Sequence, residues 1–72
     1  MNNNIIGKRL KDLRKTPDFN LSQNELGKNL GVCNQTVSFW ESGQREPDLD
    51  MVVAIAMFFN VTSDYLLGLE ND

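Results

Sequence analysis

The stretch 21–40, LSQNELGKNLGVCNQTVSFW, constrains the fold of this chain more than any other. It reads as two short helices joined by a tight turn. Ser22 and Glu25 form an S-x-x-E capping pattern: the Ser22 hydroxyl can accept from the Glu25 N–H, and the Glu25 carboxylate can reach back to the Ser22 N–H. Leu21 and Leu26 flank that cap at the spacing of a hydrophobic staple. Gly31 falls where the first of the two helices must end with positive φ, a conformation glycine adopts without strain. Val32, Val37 and Trp40 supply apolar positions that lock the second helix onto the first.

The rest of the chain extends this to five helices. The first is expected over 4–15, with Ile6, Leu10 and Leu13 on one stripe, Asn3 or Asn4 as its cap and Pro17 as its stop. The second and third are expected over 23–29 and 34–42, with Gly43 ending the third. Asp48 caps a fourth helix that runs to Phe59. Thr62 caps a last one ending at Gly68, where Val61 and Leu66 repeat the staple spacing. Residues 69–72 are expected to fray. An all-α domain over 1–72 follows, near the lower size limit for an independent core.

Composition removes several classes of function. The chain has no histidine and one cysteine, Cys33, so an internal disulfide, a zinc site and a histidine-activated thiol are not expected. No enzyme chemistry, metal or cofactor is expected from these residues. The longest apolar run, 51–59, is too short to span a bilayer, and no secretory leader is visible, which suggests a cytoplasmic protein. The net charge is −3, against the basic footprint usual in nucleic-acid binders. The charges are segregated, however: five of the seven basic residues lie within 8–15, and acids dominate 46–72.

The pieces LSQNELG, LGVCNQTVS, WESGQREP, Asn60-Val61 and YLLG occur in an order and spacing that resemble the phage Cro and lambda-type repressor family, also called Xre. The resemblance implies a compact five-helix DNA-binding domain with a helix-turn-helix at about 22–42. It also implies a transcription regulator whose partner is double-stranded operator DNA, bound as a homodimer or together with a partner regulator protein. The short chain is similar to the small regulators of temperate-phage switches, including Cro and modulators of repression.

Matched position by position, the family pattern makes Asn34, Gln35, Ser38 and Phe39 candidate base readers on the outward side of the third helix. Thr36, Val37 and Trp40 cluster on its other side. Phe39 stands where relatives carry a polar or basic residue; it can touch thymine methyls or mark a face for protein. Gln23, Ser42, Gln44 and Arg45 match positions that contact the phosphate backbone. Arg14 and Glu41 resemble a buried ion pair that ties the first helix to the third. Gly27 replaces the usual Ala, a packing choice that carries a helix-propensity penalty of about 1 kcal/mol. Cys33 replaces the usual capping Ser and is expected to be a small, half-buried turn residue. The connection 16–20 is about two residues longer than is usual.

The fourth helix is apolar on all sides. Leu49, Val52, Val53, Ile55, Ala56 and Phe59 account for a core-facing arc, leaving Met51, Ala54, Met57 and Phe58 as a candidate protein interface. That face supports a reading from a different class, a modulator that acts by binding another regulator protein. The acidic balance, the lack of Lys or Arg over 29–44, and the outward Phe39 point the same way.

Overall fold

The computed structural model describes residues 4–69. Among them are the helices α1 (Ile5–Arg14), α2 (Gln23–Leu30), α3 (Asn34–Ser42), α4 (Leu49–Phe59) and α5 (Ser63–Leu67), and no strand. These match the expected elements to within a residue or two at each end. The expectations for Asn3 and for residues 70–72 lie outside the described residues.

Local chemistry sets most of the boundaries. Ser22 Oγ accepts from the Glu25 N–H at 3.0 Å, and Glu25 Oε1 accepts from the Ser22 N–H at 2.8 Å, completing the capping box. The Ser22 N–H, and then its hydroxyl, hold the Glu25 carboxyl below its ordinary pKa. Asp48 caps α4 by accepting from the Met51 N–H at 2.9 Å, and Thr62 caps α5 by accepting from the Tyr65 N–H at 3.1 Å. Gly31 ends α2 at φ 78°. α1 begins differently. Asn4 is left-handed at φ 49° and makes no side-chain cap; instead its Nδ2 donates to the Glu41 carbonyl at 2.9 Å, joining the start of α1 to the end of α3. The capping role expected for Asn4 is therefore replaced by a tertiary one.

α3 packs on α1 and α2, and α5 closes against α1 and α4. Leu10, Leu26, Val37, Ile55 and Leu66 are wholly buried at the centre, with Trp40, Val52, Ala56 and Phe59 around them. Glycine permits two close approaches. A Cβ on Gly27 would lie 2.6 Å from the Val32 carbonyl, so an alanine here would force a shift. A Cβ on Gly7 would run into the Trp40 carbonyl where α1 crosses α3.

α4 departs from the expected phase. Val52, Ile55, Ala56 and Phe59 are buried as expected, but Leu49 (73% exposed) and Val53 (44%) are not in the core. They line up with Met57 (76%) as the exposed apolar row. Met51 and Phe58, assigned above to the interface, pack partly buried against the core instead, and Ala54 is half-buried. On the Phe58 side the cause is Phe19. The connection 16–20 folds on itself through bonds from the Phe19 and Asn20 N–H groups to the Thr16 carbonyl, with Asn20 left-handed at φ 46°. This sets the Phe19 ring 5.7 Å from Phe58 and 4.7 Å from Phe59, between centroids. The connection thus covers the Phe58 flank of α4.

Candidate nucleic-acid interface

α3 is anchored by its inner side, where Val37 and Trp40 are buried. Of the candidate base readers, Asn34 and Gln35 are exposed in the first turn, while Ser38 and Phe39 are half-buried one turn later. The four share the outward face. Among them they offer two amides with paired donor and acceptor groups, a hydroxyl, and an aromatic edge.

The segment after α3 folds back on this face. Gly43 turns the chain at φ 85°. The Ser42 hydroxyl donates to the Phe39 carbonyl at 3.2 Å, and the Gln44 N–H donates to Ser42 Oγ at 3.4 Å. The Arg45 N–H donates to the same Phe39 carbonyl at 3.3 Å, and its guanidinium lies 5.4 Å from the Phe39 ring centroid. Phe39, Ser42, Gln44 and Arg45 therefore form one folded unit, with Phe39 a platform for a cation as well as an outward ring.

Arg14 and Glu41 meet deep beneath this surface. Arg14 Nε donates to Glu41 Oε2 at 2.7 Å and Arg14 Nη2 donates to Oε1 at 2.9 Å; the side chains are 8% and 5% exposed. Arg14 Nη1 also donates to the Leu21 carbonyl at 2.8 Å, so one guanidinium holds α1, α3 and the entry to α2. Gln23 joins them, its Nε2 donating to Glu41 Oε1 at 3.1 Å. Its amide is engaged inward rather than fully extended to solvent.

Cys33 is exposed, not half-buried as expected, and gives α3 no side-chain cap. Its Sγ lies 3.3 Å from Thr36 Oγ1. The Thr36 hydroxyl, then its backbone, lower the thiol pKa from its ordinary value. Two of the clustered cations are committed internally: Arg14 as above, and Arg9, which donates to the Tyr65 carbonyl at 2.9 Å and lies 4.3 Å from the Tyr65 ring centroid. The exposed basic residues of that segment are Lys8, Lys11 and Lys15. No group of metal-ligating side chains occurs among the described residues, and no helix there is long and apolar enough to cross a membrane.

Two contributors were not expected from the sequence. The Asn4 bond to Glu41 joins residues 37 apart and leaves no local pattern. Phe19 sits in a connection, where an aromatic carries no periodicity; its only signal is a large apolar residue among turn formers.

A helix-turn-helix family model matches residues 10–66. This chain belongs to that helix-turn-helix family. Helix-turn-helix relatives include the transcriptional regulator ImmR of Bacillus subtilis (strain 168), 36% identical over 63 residues, covering 88% of this chain and 48% of ImmR. Repressor protein C2 of Salmonella phage P22 is 34% identical over 67 residues, covering 93% of this chain and 30% of C2. The chain thus spans about half or less of these curated relatives. Among solved structures, the P22 c2 repressor protein in complex with a synthetic operator superimposes with a TM-score of 0.76 at 33% identity, over 85% of this chain and 89% of that one. The five-helix architecture is therefore that of a lambda-repressor-like helix-turn-helix domain. This family comprises DNA-binding transcription regulators and is not an enzyme class.

Proposed function

We propose that this chain is a sequence-specific DNA-binding transcription regulator of the phage-repressor type, acting in the cytoplasm within a phage or mobile-element switch. The observation that carries the reading is the exposed polar face of α3, held on α1 and α2 by buried contacts, in a fold shared with an operator-bound repressor. Asn34, Gln35, Ser38 and Phe39 are the residues assigned to base edges in the major groove, where paired amide donors and acceptors suit adenine and an aromatic edge suits a thymine methyl. Gln23, Ser42, Gln44 and Arg45 are assigned to the phosphates on either side. Two copies on a two-fold operator belong to the same reading, since one recognition helix spans few base pairs. A role mainly in binding another regulator is the less favoured reading, because the relatives are named as transcriptional regulators and a repressor.

The test is enrichment of duplexes from a random pool, followed by anisotropy titration of the enriched and a scrambled duplex across a salt series. The enriched duplex should bind more tightly, with a slope of log affinity against log salt that is shallow for the family. Each neutralised phosphate contributes about −0.9 to that slope, and Arg45 is the only Lys or Arg within 29–45. Equal affinity for the two duplexes would defeat the reading.

A further inference from the structure

We propose that Glu41 is a positioning residue for DNA contact, acting through Gln23: its carboxylate fixes the Gln23 amide so that one N–H remains aimed at a backbone phosphate. The inference rests on the DNA-binding reading above and deepens it.

Three observations carry it. Glu41 Oε1 is shared, accepting from Arg14 Nη2 at 2.9 Å and from Gln23 Nε2 at 3.1 Å. The carboxylate is itself nearly inaccessible, with its side chain 5% exposed and gripped at Oε2 by Arg14 Nε at 2.7 Å. Gln23 is the first residue of α2, half-buried, directly after the capping Ser22.

The chemistry then selects one arrangement. An ionised carboxylate only accepts, while an amide has a donating and an accepting end. The Gln23 amide can therefore face Glu41 only with its NH₂ group; the flipped form would set two acceptors against each other. One of the two N–H bonds is spent on Glu41. The other stays available to an acceptor outside the protein, which for a backbone-contacting residue is a phosphate oxygen. A free glutamine would have to be ordered on binding, and here the bond to Glu41 supplies part of that ordering beforehand. Arg14, Glu41 and Gln23 thus form a relay from α1 through α3 to the start of α2. The buried pair contributes to affinity as well as to folding.

The experiment is a cycle on the full chain using an enriched duplex. The pair variant Arg14→Met/Glu41→Leu removes the carboxylate without stranding a charge. Glu41→Asp keeps a carboxylate for Arg14 but shortens its reach to Gln23, and serves if the pair variant is unfolded at the assay temperature. Each is combined with Gln23→Ala, and folding is followed by Trp40 fluorescence. Loss of the anchor should weaken binding roughly three- to tenfold with Gln23 present and cause no further loss in the Gln23→Ala background. A scan with single neutral methylphosphonates should find one phosphate whose replacement harms the parent but not Gln23→Ala or the anchor variants. Equal losses in both Gln23 backgrounds would overturn the proposal, leaving Glu41 with a folding role alone. A Gln23→Ala protein that binds like the parent would overturn it too. Failure of the parent to prefer any duplex would instead defeat the DNA-binding reading itself, and the proposal with it.

Discussion

The Phe19 ring meets Phe59 edge-on, with centroids 4.7 Å apart and planes at 76°. Phe58 stands edge-on to Phe59 at 5.0 Å. The three rings make a cluster that joins the connection 16–20 to α4. Edge-to-face pairs add roughly 0.5–1.5 kcal/mol beyond the area they bury.

Phe19→Ala should therefore lower stability by about 1–3 kcal/mol, less than a fully buried Phe because the ring is partly exposed. On the same helix, Phe58→Lys should be strongly destabilising, while Met57→Lys should stay within about 0.5 kcal/mol of the parent. Urea midpoints measure all three. If Met57→Lys proves the costlier of the two lysine substitutions, the phase described for α4 is wrong.

Arg14→Ala strands the Glu41 carboxylate in the interior and should lose about 3–5 kcal/mol. Replacing both partners by apolar residues of similar volume should recover most of that loss. Thermal or chemical denaturation of the two variants decides the matter; an Arg14→Ala midpoint equal to the parent's would show that the pair does not hold the helices.

The capping box gives a pH dependence with a definite sign. Glu25 has a lowered pKa in the folded chain, caused first by the Ser22 N–H and then by its hydroxyl. Its contribution is fully present above the ordinary carboxylate pKa and is lost as the pH falls through the lowered folded value. Glu25→Gln still offers a carbonyl to the Ser22 N–H but does not titrate. The parent should therefore lose stability relative to Glu25→Gln on acidification, as read from midpoints over a pH series. A gap that stays constant with pH would argue against a carboxylate at the cap.

Gln35→Ala should weaken binding to an enriched duplex by about 1–3 kcal/mol and relax preference at one base pair, with the fold intact. Arg45→Ala should instead weaken binding to all duplexes alike and make the salt slope shallower by about 0.9. Both are read by anisotropy titration. A Gln35→Ala protein with unchanged preference would remove this residue from base reading.

What the sequence made legible was whatever is written locally. Ser22 with Glu25, Asp48, Thr62 and Gly31 announce helix ends within a few residues, and the structure has them in those roles. The Arg14–Glu41 contact was available only through family resemblance, since nothing local links residues 27 apart. The phase of α4 was illegible for a different reason. Its nine-residue apolar run has no polar side to fix the phase, so the choice fell to a partner outside the helix. On the Phe58 side that partner is Phe19. The outward set on α3 was legible because Val37 and Trp40 fix the inner side. The inward tether of Gln23 was not, because an amide beside a buried carboxylate carries no sequence pattern.

The bond from Arg9 to the Tyr65 carbonyl spans 56 residues. During synthesis α1 is made before the other four helices described here, yet one of its anchors is among the last parts of the domain to be made. α1 can pack on α3 once that helix is made, but its seat is complete only when α5 emerges. The nascent chain would therefore carry a partly assembled globule whose last event is the closure of α5 onto α1. The ties of α1 to α3 do not wait for that step, since Arg14 reaches Glu41 and the Leu21 carbonyl, all made before α5.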